Sequence, residues 1–426
     1  MSLSDWQTVK VDDIKALTKN ALAMGPFGSN IKSDFFVPDG VPVVRGNNLN
    51  ADRFNDNDFV FLTEEKADEL SSANAFLDDI VFTHRGTLGQ VGIIPKNSKY
   101  ARYVVSQSQM KLTCDKKRVD PYFIFYFFRS PIGQHRLLQN TSTTGVPAIS
   151  RPLTSLRNIE IPLPPLPEQH AIAHILGTFD DKIELNRRMN ATLEAMARAI
   201  FKSWFVDFDP VWAKMEGEEP AGMDAETAAL FPEVFEEVDG REVPTGWEIS
   251  TIGFVLELAY GKALKESERL PGQIPIYGSN GQIGWHDEPL VKGPGIIVGR
   301  KGNPGTVVWS HTDFFPIDTT FYVTPKMQSM SLPYLYHELM LQSLPSLGSD
   351  SAVPGLNRNI AYMNSIVIPP AEVIKRFDTA VMPLFNLIYL NTMQSRTLAA
   401  LRDTLLPRLI SGEIRVPDVM LEAVET

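Results

Sequence analysis

The sequence predicts an α+β protein: two mixed, mostly β domains separated by two long helices that pair as an antiparallel coiled coil, the whole forming a pseudo-twofold internal repeat. Three observations carry this. Residues 146–162, VPAISRPLTSLRNIEIP, return 207 positions later and without a gap as VPGLNRNIAYMNSIVIP at 353–369. Upstream of each copy, a β-branched run leads into a Gly-rich turn, DIVFTHRGTLGQVGII at 79–94 and GIIVGRKGNPGTVVW at 295–309. Downstream of each copy the pattern becomes helical, with apolar residues spaced four and three apart.

The elements follow in order. The first domain spans 1–160: Trp6, short strands bounded by turn residues, and a helix over 121–138, PYFIFYFFRSPIGQHRLL. A central region spans 161–240. Its PLPPLP run reads as a rigid joint in front of a helix rather than as a ligand for another protein, and Pro167 fits the first helical position. The second domain, 241–369, opens on Trp247 and repeats the scheme, with LPYLYHELMLQSL at 332–344 as its helix. The distal region, 370–426, places Pro370 at its helix start.

Residues 178–205 align with 383–410 at a shift of 205, and the shared stripe is a coiled-coil seam. Phe179, Ile183, Asn186, Leu193 and Ile200 stand on one helix, and Leu384, Ile388, Asn391, Leu398 and Leu405 on the other. Asn186 and Asn391 share one seam position, where a buried polar residue fixes register. Gly177 and Pro383 predict a kink in each helix. On periodicity alone the stripes also fit two amphipathic helices packed on separate domains; the repeat favours pairing.

Composition bounds the class. At 43% hydrophobic and 21% charged, the 426 residues are those of a globular protein. The densest apolar patch, YFIFYFFRS at 122–130, falls short of the ~20 residues of a membrane span, so no membrane association is expected. The N-terminus shows no secretory signal, and one cysteine, Cys114, leaves no intrachain disulfide, so a reducing cytoplasm is the expected location. The net charge of −11 is concentrated: residues 161–240 hold 6 Lys+Arg against 16 Asp+Glu, whereas 1–160 hold 19 against 17. If DNA is the ligand, a partner is expected to bring much of the positive charge.

The segments IPLPPLPEQHAIAHIL (161–176), SWFVDFDPV (203–211), VPTGWEISTIG (243–253) and LLPRLISGEI (405–414) resemble the signatures of the DNA-specificity subunit of type I restriction–modification systems. The resemblance spans the chain, with both target-recognition domains and both helical spacers in the family's order. It implies a non-catalytic subunit in which each domain reads one half of a bipartite double-stranded DNA target. It also implies two methyltransferase subunits held by the helices, with restriction subunits completing an ATP-dependent nuclease. The 28 residues of 178–205 would span about 42 Å as helix, which suits half-sites about one duplex turn apart.

Base reading needs polar loops with bidentate side chains. In the first domain the candidates are Arg45, Asn47, Asn48, Arg85, Gln107, Gln109, Thr143, Thr144 and Arg151. In the second they are Tyr277, Ser279, Asn280, Arg300, Lys301, Asn303, Thr319, Thr320 and Arg358. Taken singly, each also fits a solvated loop or a strand-end hydrogen bond.

Other chemistries find little support. His170 and His174 lie four apart but have no HExxH pattern and no third ligand, so no metal is expected. Asp207 and Asp209 head an acidic linker, 207–240, and read as solvated or partner-facing. No phosphate loop, adenosylmethionine-type glycine turn or adenine-methyltransferase motif stands in the chain, so no cofactor and no catalytic residue is assigned. Two alternatives remain: a self-contained modification enzyme with divergent motifs, and a coiled-coil scaffold that binds proteins.

Overall fold

The computed structural model describes residues 6–49, 53–142, 145–347 and 355–417. Two units form. The first comprises the chain up to Leu185 and again from Gln394, and the second runs Asn186–Met393. Each of two 40-residue helices, Leu166–Phe205 and Ala371–Ile410, gives one half to each unit. Both helices are continuous through Gly177 and Pro383. Their starts differ from expectation: Pro167 is the second helical residue and Pro370 precedes its helix.

In the first unit, strands β1 (Gln7–Lys10), β2 (Leu22–Met24), β3 (Val41–Val44), β4 (Val60–Leu62), β5 (Asn74–Phe76) and β6 (Ile80–Thr83) are followed by β7 (Val91–Ile93), β8 (Arg102–Val105) and β9 (Gln109–Leu112). The short pair β10 (Thr141–Ser142) and β11 (Ala148–Ile149) precedes β12 (Glu160–Leu163). Two four-stranded sheets result, β2-β9-β6-β7 and β4-β3-β8-β5, and β1 pairs with β12. The helix expected over 121–138 is two helices, Pro121–Arg129 and Pro131–Leu138, with Ser130 capping the second through Gly133 N–H at 3.1 Å.

The second unit opens on an acidic segment that is not a bare linker. It carries short helices Asp209–Met215 and Ala225–Ala228 and a hairpin of β13 (Phe235–Val238) and β14 (Arg241–Pro244). Then come β15 (Glu248–Thr251), β16 (Leu256–Tyr260), β17 (Ile274–Gly278), β18 (Gly281–His286), β19 (Gly295–Gly299), β20 (Val307–Ser310), β21 (Phe315–Pro316), β22 (Thr320–Pro325) and β23 (Ser365–Ile368). The sheet β16-β22-β19-β20 repeats β2-β9-β6-β7, and the pair β15-β23 repeats β1-β12.

Each unit closes its core on a helix pair. In the first unit, Ala171, Ile172 and Leu176 of one helix and Leu406, Leu409 and Ile410 of the other join Phe123, Phe127, Ile80 and Met110. In the second, Phe201, Trp204 and Phe205 meet Val373, Phe377 and Phe385, packed on Tyr334 and Trp247. Of the seam residues, Ile183, Asn186, Ile388 and Asn391 are buried, whereas Phe179, Leu193, Ile200, Leu384, Leu398 and Leu405 are half-buried.

Polar residues set the pairing. Asn186 Nδ2 donates to the Asn391 carbonyl at 3.2 Å, Asn391 Nδ2 donates to Asn190 Oδ1 at 3.0 Å, and Asn190 Nδ2 donates to Thr392 Oγ1 at 3.2 Å. In the first unit, Arg402 Nη1 lies 2.6 Å from Asp180 Oδ1, both nearly sealed from solvent, and Tyr126 donates its hydroxyl proton to Asp180 Oδ2 at 2.7 Å. The matching positions of the second unit, at the same shift of 205, hold Phe385 and Ala197, both within the apolar core. Arg415 closes the first unit by donating twice to Glu168, at 2.7 and 2.9 Å, and Trp6 Nε1 donates to the same carboxylate at 3.2 Å.

Removing one partner of a buried ion pair strands the other charge. Arg402→Ala is therefore expected to cost about 3–5 kcal/mol of stability. The double change Asp180→Phe, Arg402→Ala, which copies the second unit, recovers part of that loss. Urea midpoints of the purified chain measure both.

Candidate nucleic-acid interface

One main-chain frame recurs in both units at the ends of the central strands. In the first unit, Ser106 N–H donates to the Val44 carbonyl at 2.9 Å, Gln109 N–H to Ser106 at 3.0 Å, and Gly25 N–H to Gln109 at 2.9 Å. His84 N–H donates to Ser108 at 2.9 Å and Ile149 N–H to His84 at 2.9 Å, while Arg85 bridges Ala148. In the second unit, Ile317 N–H donates to Tyr277 at 2.9 Å, Thr320 N–H to Ile317 at 2.9 Å, and Gly261 N–H to Thr320 at 3.1 Å. Arg300 N–H donates to Thr319 at 2.9 Å and Leu356 N–H to Arg300 at 2.9 Å, while Lys301 bridges Gly355.

Both frames need glycine at one point. A Cβ on Gly25 would lie 1.8 Å from the Ser106 carbonyl oxygen, and one on Gly261 would lie 2.2 Å from that of Ile317. The turn after each inner strand also holds two glycines at positive φ, Gly86 and Gly89 in one unit and Gly302 and Gly305 in the other. This frame pairs Arg85 with Lys301 and His84 with Arg300.

The frame gathers most of the expected residues at one end of each unit. In the first, Asn47, Arg85, Gln107 and Arg151 are exposed on adjoining loops. Arg151 sits at φ 46°, ψ 62°, a left-handed conformation for a non-glycine residue, directly before the helix Pro152–Arg157. Arg45 is half-buried and donates from Nη2 to the Asp58 carbonyl at 3.2 Å. His84, which sequence reasoning missed, is buried, and that burial holds its pKa below the ordinary imidazole range. The neutral ring faces the Gln107 carbonyl at 3.1 Å. Thr143 and Thr144 lie outside the described residues.

In the second unit, Asn280, Lys301 and Asn303 are exposed, and Tyr277, Ser279, Arg300, Thr319 and Arg358 are half-buried. Ser279, Asn280, Asn303 and Thr306 line a cavity of about 600 Å³ whose other wall is Leu339, Met340 and Leu344. Burial raises the Tyr277 phenol above its usual range, so it is a neutral hydroxyl at physiological pH.

Three expected readers point inward instead. Asn48 is fully buried: its Oδ1 accepts from Arg45 N–H at 2.9 Å, and its Nδ2 donates to the carbonyls of Asn55 and Asn57 at 3.0 and 2.9 Å. Gln109 is buried against Ser106 and Thr83, and Thr320 donates its hydroxyl to the Ile317 carbonyl at 2.8 Å. These side chains hold the frame together, because a buried polar group must spend its bonds on the chain that surrounds it. They are not placed to meet a ligand.

The other polar features singled out in the sequence have local partners or are buried. His170 Nε2 lies 3.6 Å from Asp120, Asp207 pairs with Lys202, and burial raises the Cys114 thiol. Among the described residues no three His, Cys, Asp or Glu side chains come together to hold a metal, and no helix is long and apolar enough to cross a membrane.

Asn48→Ala leaves one amide and two carbonyls unpaired in the interior, and is expected to cost about 2–4 kcal/mol. It should leave any DNA sequence preference unchanged, whereas Asn47→Ala should leave stability unchanged. Thermal melts and sequence preference, measured on both variants, separate the two roles.

Comparison with known proteins agrees with this geometry. Residues 3–195 match the family described as type I restriction modification DNA specificity domain. The specificity subunit of the type I restriction enzyme HindI from Haemophilus influenzae is 28% identical, with 76% of this chain and 85% of the relative covered. That of MjaIX from Methanocaldococcus jannaschii is 25% identical, with 84% and 82% covered. The crystal structure of a type I restriction–modification system S subunit from M. genitalium shares the fold, with a TM-score of 0.57 at 20% identity over 96% of this chain and 98% of that one. The family match covers residues 3–195, and over most of its length the chain is similar to specificity subunits of type I restriction–modification systems.

Proposed function

We propose that this chain selects the DNA sequence on which a type I restriction–modification complex acts. Each unit reads one half of a bipartite double-stranded target, and the chain itself performs no catalysis. The observation that carries this reading is the frame itself: one hydrogen-bonded arrangement of strand-end loops, formed twice in one chain and crowned each time by exposed amide and cationic side chains. A main-chain frame leaves its outward side chains free to differ, so two copies suit two different half-sequences.

In this reading, residues 1–160 and 241–369 are the two readers, and 161–240 and 370–426 supply the helices. The helices dock two methyltransferase subunits, one per half, and restriction subunits join that core in the cytoplasm. The matched positions of the helix repeat support two like partners, and the acidic stretch 161–240 suits a partner that carries the positive charge needed at the phosphates.

Exchange of residues 1–160 for the first domain of another specificity subunit is expected to change one half of the methylated motif and keep the other. Methylome sequencing of cells that carry the hybrid measures this. A hybrid that changes both halves would contradict two independent readers.

A further inference from the structure

Tyr260 ends β16 with its ring half-exposed, at 51%. The Arg300 guanidinium lies 4.9 Å from the ring centroid and that of Arg358 lies 4.8 Å from it. Beneath, the ring rests on buried Phe321 at 5.1 Å between centroids. Each arginine is held a second time by the backbone. Arg300 Nη1 donates to the Asp318 carbonyl at 2.9 Å, and Arg358 Nη1 donates to that of Leu258 at 3.2 Å. The two arginines come from separate segments, the end of β19 and the start of the helix Arg358–Met363, and one aromatic ring joins them.

Resting on the reading that this unit binds DNA, we propose that Tyr260 is a positioning residue for base recognition. It holds Arg300 and Arg358 so that they read guanine in the half-site chosen by the second unit. A guanidinium fixed by both a ring and a carbonyl at Nη1 still offers its Nε and Nη2 edge, which matches the paired acceptors of guanine in the major groove. A phosphate contact needs charge more than orientation, and exposed Lys262 and Lys301 beside the cluster supply that without restraint.

The first unit lacks the device. By the shared frame, Met24 stands where Tyr260 stands and His84 where Arg300 stands. The effect should therefore fall on one half of the target.

The test is methylome sequencing of cells that express the system with the unaltered chain or with Tyr260→Phe, Tyr260→Leu, Arg300→Lys or Arg358→Lys. The half belonging to the second unit is assigned by the domain exchange above. The unaltered chain should give a split motif with guanine in that half. Tyr260→Phe should keep the motif, because the ring remains. Tyr260→Leu and at least one Arg→Lys variant should lose about tenfold or more of the discrimination at a guanine, with the first half unchanged. Retention of the first half reports that the variant is folded. A second half without guanine overturns the proposal. So does full specificity in both lysine variants, which would mark the arginines as phosphate contacts. If the unaltered chain directs no methylation at all, the broader reading fails first, and the two failures are thereby distinct.

Discussion

The pairing of the two long helices is the constraint on which the rest of the structure depends, and a few buried polar contacts set its register. Asn186 and Asn391 give their amides to backbone carbonyl and asparagine oxygen in the second unit, and Asp180 meets Arg402 in the first. A slip of one turn would separate these pairs, at the cost of unpaired polar atoms in the interior. The same helices supply the closing wall of each β core, through Ile172 and Leu409 on one side and Phe201 and Phe377 on the other. Register therefore decides which apolar faces the two cores receive.

The frame at the strand ends lets one fold carry two different sets of outward side chains, as two readers would require. Its bonds are almost all main chain to main chain, and its fixed side chains are few: glycine where backbone approaches backbone, and buried Asn48, Gln109 or Thr320 where a loop needs a partner. What stands above it differs between units, with His84 and Met24 in one and Arg300 and Tyr260 in the other. In the proposed reading, stability and specificity fall to different atoms, so substitution in the outward set is expected to leave the scaffold intact.

The large features were legible in the sequence because they are periodic. The ungapped repeat at 146–162 and 353–369 and the four-three stripe along both helices are local patterns, and they correctly announced two β-rich halves with paired helices. The direction of individual loop side chains was not legible. Asn48 and Asn47 are neighbours of one type, yet the first turns inward because carbonyls of residues 55 and 57 wait for it. The Asp180–Arg402 pair was hidden for a similar reason: each residue alone looks like a surface charge on a helix, and only the antiparallel pairing brings residues 222 positions apart into contact. Tyr260 gave no signal at all, since its role depends on arginines 40 and 98 positions downstream in sequence.

The account's central claim is that this one chain sets a split DNA specificity for a methylating complex. Methylome sequencing of cells with and without the gene, all other genes unchanged, tests it most directly. The prediction is a single motif of two short fixed sequences separated by a fixed run of unread bases, present with the gene and lost without it. A motif that is continuous, or one that persists unchanged when the gene is removed, would contradict it.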